Sequence, residues 1–144
     1  MQLLKLADFF TYGDPDGNGK NDTYGYAMFG TITRNYSTVQ FEYMMNAAGE
    51  QLVENGKLNF NTETGHFVLQ WMQDLLYTFK VVPPDTANWG HQELYRDTKA
   101  GVIGIGRLGN WNVYSFDQAL NGDYIAWKYP PITVSYTHLT LPTN

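Results

Sequence analysis

Apolar residues at helical spacing mark the first two predicted helices. The first set falls at i, i+3, i+4 and i+7 and predicts an amphipathic helix at the start of the sequence; its members are Leu3, Leu6, Ala7 and Phe10. Ser37 and Gln40 match a capping box and predict a second helix start, and Gly49 is suited to end that helix. Its apolar face consists of Phe41, Met44, Met45 and Ala48.

The longest predicted helix follows a cap at Asn61 or Thr62 and ends before Pro83-Pro84, because proline cannot continue a helix. Its wide apolar stripe is typical of a main core helix and contains Phe67, Val68, Trp71, Met72, Leu75, Leu76 and Phe79. Shorter helices are predicted at 91–98 and 110–120.

Predicted strands alternate with these helices. Aromatic content predicts a strand at 23–29, and a last strand is predicted at 124–129. The apolar run at 101–106 is typical of a strand buried in a parallel or mixed sheet. Asn55-Gly56 predicts a tight hairpin, because both central residues tolerate positive φ. The alternation indicates an α/β protein.

Composition narrows the class of protein. The sequence has 144 residues, enough for one domain, and 43% of them are apolar and can form its core. A net charge of −5, with only nine lysines and arginines, argues against a nucleic-acid partner. There is no cysteine, so thiol chemistry and disulfides are excluded. No apolar run approaches the roughly 18 residues that a membrane span requires.

The segment GDPDGNGKND at 13–22 has the spacing of an EF-hand calcium loop. Side-chain oxygens fall at positions one, three, five and nine, a backbone carbonyl at seven, and Gly19 stands at the sharp turn of position six. The expected Ca²⁺ ligands are Asp14, Asp16, Asn18, Lys20 through its carbonyl, and Asp22.

This loop departs from the EF-hand pattern at position twelve, where Gly25 replaces a bidentate glutamate. The predicted role of calcium is therefore structural, holding like-charged carboxylates together, and not that of a sensor. The alternative is a solvated polar turn with no ion, since Asn, Asp and Gly are also the usual turn residues.

A second motif, GxGxxG at Gly104–Gly109, follows a predicted strand as in dinucleotide-binding folds. Bulky and polar residues follow it where such folds pack a helix closely, and the expected acidic residue is represented only by Asp123. A dinucleotide-binding oxidoreductase is the alternative function, and glycines in a tight turn are the simpler interpretation. Paired catalytic carboxylates are not evident, so no enzyme is predicted. His66 and His91 are interpreted as solvated, without a zinc site.

Three segments together resemble the extracellular solute-binding proteins of sugar ABC importers, the family that includes maltose-binding protein. They are DPDGNGKNDTYG at 14–25, the helix, glycine turn and hairpin at 46–60, and ELYRDTKAGVIGIG at 93–106 with Gly109-Asn110-Trp111 after it. Alginate-binding relatives hold calcium in a loop comparable to the first segment. The resemblance covers about residues 5–132.

The resemblance implies a type II periplasmic-binding-protein-like lobe, a mixed sheet flanked by helices, with one further lobe needed to close on a sugar. Trp111 matches the family's stacking tryptophan; a core role is its alternative. Further implied sugar contacts are Asn110, Asn35, Tyr36 and Trp89, and for Trp89 the preferred interpretation is a loop tryptophan that caps the long helix.

The implied partners are a carbohydrate and the membrane permease of an ABC transporter. We expect a monomer outside the cytoplasm, either periplasmic or a cell-surface lipoprotein. The terminal VSYTHLTLPTN at 134–144 resembles a translated sequencing adapter. We therefore expect 1–133 to be an internal, incomplete part of one lobe and 134–144 to be non-native.

Overall fold

The computed structural model describes residues 2–125 and residue 132. The described part contains five α-helices, which are α1 (Gln2–Tyr12), α2 (Tyr36–Ala47), α3 (Glu63–Gln73), α4 (His91–Lys99) and α5 (Val113–Leu120). Its one hairpin pairs β1 (Val53–Glu54) with β2 (Lys57–Leu58). Short 3-10 turns lie at Thr33–Asn35, Thr86–Asn88 and Asn110–Asn112. No helix in 2–125 combines the length and apolar character needed to cross a bilayer.

Local signals placed several of these elements correctly. Thr62 caps α3, since its hydroxyl accepts a hydrogen bond from the Gly65 amide at 3.0 Å. Asn55 and Gly56 have φ of 50° and 73°, the left-handed pair that a two-residue hairpin turn requires. Gly49 follows α2 with φ of 91° and ends it as predicted.

The capping box predicted for α2 is wrong. Asn35 is the N-cap, with φ of 59° and no side-chain capping bond, and Gln40 is fully buried. The Gln40 amide instead accepts from the Phe29 backbone N–H and donates to the Tyr26 hydroxyl, both at 3.3 Å. A buried amide must satisfy its own hydrogen bonds, and here that need outweighs capping.

The predicted mixed sheet is wrong in extent. Residues 24–27 and 103–106 run parallel but pair only at two isolated bridges, Tyr24 with Ile103 and Ala27 with Gly106. Between the bridges the Tyr26 amide donates to Val81, and Gly25 lies so close to α1 that a Cβ would be 1.8 Å from the Ala7 carbonyl oxygen. Backbone bonds that a ladder would use go elsewhere, so the described part is mainly helical.

The prediction at 124–129 falls largely outside the described residues. The long predicted helix is interrupted: α3 ends at Gln73 and a π-helical turn continues through Asp74–Thr78.

Residues 26–29 separate two apolar clusters, because alternate side chains of an extended chain point to opposite sides. Tyr26 and Met28 face the first cluster, which contains buried residues of α1, α2, α3 and the π-helical turn after it: Leu3, Ala7, Met44, Met45, Val68, Trp71 and Leu75. Ala27 and Phe29 face the second cluster, with Trp89, Leu94 and Ile103. The extended segment thus has α1, α2 and α3 on one side and α4 on the other.

Candidate functional site

A groove of about 280 Å³ lies beyond residues 26–29, between the loop that leads into α2 and the start of α4. The two walls are joined by backbone bonds, since the amides of Gly30 and Thr31 donate to the Trp89 carbonyl at 3.0 and 3.1 Å. Tyr36 lines the groove and packs against Phe29, with ring centroids 5.1 Å apart. The first wall is therefore fixed to the second apolar cluster.

The loop wall has an unusual backbone. Arg34 and Asn35 are consecutive non-glycine residues in the left-handed region, with φ of 54° and 59°. Two backbone bonds hold them there, from the Asn35 amide to Ile32 at 3.2 Å and from Ser37 to Thr31 at 3.1 Å. Strained backbone that its surroundings maintain is concentrated at functional sites.

Three aromatic rings form a stack beside the groove. His91, the first residue of α4, stacks with both Tyr95 and Trp111, with centroid distances of 5.9 and 6.4 Å and interplanar angles of 19° and 26°. The His91 Nε2 also lies 3.0 Å from the Asn112 side-chain nitrogen. His91 supports one face of the indole, and Trp111 remains 75% exposed.

Electrostatics in the groove are set by one carboxylate and one guanidinium. Glu93 accepts the Gly90 amide at 2.9 Å, and this backbone bond is the main cause that lowers the pKa of Glu93. Its negative charge therefore stabilises the first turn of α4, where the free backbone amides carry partial positive charge. Arg34 also lines the groove, and among the described residues its side chain has no hydrogen bond or ion pair.

The residues predicted to contact the sugar lie at different places relative to the groove. Tyr36 lines the groove, Asn35 is exposed beside it, and Trp111 joins the same region through His91. Trp89 is only 5% exposed and packs in the second cluster with Phe29 and Leu94, so it is a core residue of that cluster and neither an open groove contact nor a cap on α3. The side chain of Asn110 lies outside the described part of the structure.

Two groove residues were missed from sequence. His91 was interpreted as solvated, yet it lines the groove and stacks on both neighbours. Its spacing of four from Tyr95 on a predicted helix was the available signal. Arg34 had no signal, because nothing local distinguishes an arginine in a groove from one on an open surface.

The acidic loop is folded around its own side chains. The two oxygens of Asp14 accept the amides of Asn18 and Gly19, each at 3.0 Å. The Asn18 side-chain nitrogen donates to Asp16 at 2.7 Å and to Asp22 at 3.3 Å. Within 2–125 and 132, no three acidic, histidine or cysteine side chains are grouped as a metal site requires.

The glycines at 104–109 have packing roles. A Cβ on Gly104 would lie 2.4 Å from the Phe10 ring, and one on Gly106 would lie 2.9 Å from the Thr98 hydroxyl. The segment leads into the 3-10 turn Asn110–Asn112 and not directly into an α-helix. These glycines allow close approach of neighbouring elements, which is the simpler interpretation of the motif.

The chain is similar in fold to part of several solute-binding proteins that were solved with bound sugars. An ABC transporter solute-binding protein from Thermotoga lettingae, solved with α-D-tagatose, aligns with 82% of this chain at 22% identity and a TM-score of 0.68. The maltose/maltodextrin-binding domain MalE of Bdellovibrio bacteriovorus, bound to maltotriose, aligns with 83% at 22% identity and 0.63. Maltose-bound MalE3 of T. maritima aligns with 74% at 20% identity and 0.62.

The chain spans 29%, 29% and 25% of the lengths of these three proteins. No protein-family model matches its sequence, and no curated protein sequence matches it significantly. The resemblance found in the sequence is thus confirmed at the level of the fold.

Proposed function

We propose that this chain is part of the substrate-binding component of a carbohydrate ABC importer and binds a sugar without catalysis. The observation that carries the proposal is Trp111, an indole with one face supported by His91 and 75% of its surface open to solvent beside a groove. The three structurally similar proteins contain tagatose, maltotriose and maltose, which supports a sugar as ligand.

The groove has the chemistry that a pyranose needs. The C–H faces of a sugar stack on aromatic rings, and its hydroxyls need polar partners. Trp111 supplies the ring, while Asn35 and polar groove residues supply hydrogen bonds; a contact from Asn110 stays a prediction from the resemblance. A second lobe, outside the span that this chain shares with its structural neighbours, provides the opposite wall. The partners are then the sugar and a membrane permease, and the protein is extracytoplasmic, either periplasmic or a cell-surface lipoprotein.

The test is tryptophan fluorescence of the full-length gene product, titrated with maltose, maltotriose, tagatose and, separately, NAD. We expect a saturable change with at least one sugar and none with NAD, because an exposed indole that becomes covered changes its emission. A response to NAD alone would replace the importer with the dinucleotide-binding alternative.

We also propose that the acidic loop binds one structural Ca²⁺ ion. Support comes from the EF-hand-like spacing and from Gly17 and Gly19, whose φ of 68° and 76° fold the loop tightly. The Asn18 side-chain nitrogen donates to Asp16 and Asp22, and a bound cation would take the place of this donor between the two carboxylates. The loop carries three carboxylates and one ammonium, that of Lys20, so a bound cation would relieve the repulsion among the carboxylates. The oxygens of Asp14, Asp16, Asn18 and Asp22 and the Lys20 carbonyl would hold it.

Removal of calcium is expected to lower the melting temperature. At Ca²⁺ concentrations about 100-fold above Kd, binding stabilises by about 2.7 kcal/mol, which corresponds to roughly 5–10 °C for a domain of this size. Differential scanning calorimetry with Ca²⁺ and with excess chelator measures the shift. Asp16→Asn should abolish most of it, and Asp117→Asn on the exposed side of α5 should leave it intact. Identical melts under both conditions would exclude the ion.

A further inference from the structure

Arg34 differs from the other arginines of the chain. Arg96 donates to Asp97 at 2.8 Å, and Arg107 lies over the rings of Tyr43 and Phe29. Arg34 is exposed at the groove and, among the described residues, has neither an acidic partner nor a ring beneath it. Its guanidinium is therefore the one left available for a ligand in this part of the structure.

The backbone holds Arg34 at the groove in spite of strain. Its φ of 54° belongs to a region that branched-chain and long side chains rarely occupy, and the next residue has φ of 59°. The bonds from Asn35 to Ile32 and from Ser37 to Thr31 close the loop on both sides of it. The arginine is thus presented by a fixed loop, which reduces the entropy lost when a ligand binds.

Arg34 forms no ion pair within the described part of the chain. Glu93 is the acidic residue among those that line the groove; its carboxylate is ionised, accepts a hydrogen bond from the Gly90 amide at the start of α4 and does not pair with Arg34. When a second wall closes over a ligand, water is excluded and an unpaired guanidinium becomes costly. A ligand that brings its own anion removes this cost.

We propose that the groove selects a sugar that carries an anionic substituent, which pairs with Arg34 while the pyranose ring stacks on Trp111. This inference rests on the proposed function and specifies its substrate class. A guanidinium binds carboxylate, sulfate or phosphate through two parallel hydrogen bonds, so all three groups share the required chemistry. The groove of about 280 Å³ suits a small ligand part such as one substituted sugar unit.

The test compares two trisaccharides that differ only in charge, trigalacturonate and its methyl ester, by calorimetric titration of the full-length gene product. We expect the acid to bind about tenfold to a hundredfold more tightly, the range expected for a charged hydrogen-bonded pair. Added NaCl should weaken binding of the acid more than that of the ester. A sulfated trisaccharide in a third titration shows which anion is preferred.

Arg34→Gln should remove most of the preference for the acid and leave the affinity for the ester within about twofold. Lys57→Gln in the hairpin changes the net charge equally and should leave the preference intact. Circular dichroism melts check that both variants fold. If a variant does not fold, the salt dependence of acid and ester binding to the parent protein still tests the inference.

Equal affinity for acid and ester, or an equal effect of both substitutions, would overturn this inference and leave the sugar-binding proposal standing. Failure of all sugars, charged and neutral, to bind would instead reject the proposed function itself.

Discussion

Gly30→Ala is expected to lower the free energy of unfolding by about 3 kcal/mol, near the upper end for overpacked sites. A Cβ at this position would lie 2.2 Å from the Thr86 carbonyl oxygen and 2.5 Å from the Cα of Ala87. Both are backbone atoms that cannot turn aside as a side chain can. The chain on one side must move, and the two bonds to the Trp89 carbonyl that join the groove walls must lengthen.

Gly109→Ala is the matched control for this prediction. A Cβ there meets the outer ring atoms of Trp111 at 2.3 Å, but that side chain is 75% exposed and can move. We expect a loss within about 0.5 kcal/mol, as for other surface substitutions. Urea denaturation measures both variants. Equal losses would mean that the close approach of residues 30 and 86–87 is wrong.

Leu94→Ala is expected to lower the free energy of unfolding by about 3 kcal/mol, within the range of buried leucine truncations. Leu94 is fully buried and packs with Phe29, Trp89 and Ile103 in the second cluster. Its removal leaves a cavity below the first turns of α4, the helix that carries His91. We therefore expect the start of α4, which forms one wall of the groove, to be less firmly positioned when the fold loses stability.

Leu58→Ala provides the comparison, because this leucine lies in the hairpin and is 69% exposed. We expect a change within about 0.5 kcal/mol for this variant. Thermal and urea denaturation of the pair measure the difference. If the two truncations cost the same, α4 is not packed on residues 27–29 as described.

Elements with strong local signals were predictable from sequence. Thr62 at the start of α3 and Asn55-Gly56 in the hairpin follow rules that involve only a few neighbouring residues. The capping box at Ser37 satisfied an equally local rule but was wrong, because Gln40 is needed 11 and 14 residues away, at Phe29 and Tyr26. The long-range hydrogen bonds of the Gln40 side chain were thus formed in place of a local bond that would cap α2.

The predicted strands show the same limit. Residues 23–29 and 101–106 have strand-like composition, and they do lie in parallel, but the approach of Gly25 to α1 interrupts the ladder. The composition of a segment indicates how buried it is. It does not indicate which neighbouring elements accept and donate its backbone hydrogen bonds, and these decide whether a strand forms.

At the site, the predictions drawn from the resemblance concern residues that are distant in sequence. Tyr36 and Trp111 are 75 residues apart, and only the resemblance placed them at one site, although their contact with a sugar stays a prediction. Arg34 and His91 became visible when the structure joined the loop before α2 to the start of α4. A groove between distant segments has no signature in either segment alone.

The most direct measurement is the affinity of Trp111→Ala in the full-length gene product for the sugar that binds the parent protein best. Loss of the stacking ring should weaken binding by about 1 kcal/mol or more, which is roughly fivefold or more in Kd. Tyr77→Ala is the control, because that ring is 72% exposed on the π-helical turn after α3 and should not contribute. Unchanged affinity in Trp111→Ala would contradict a sugar seated on this indole.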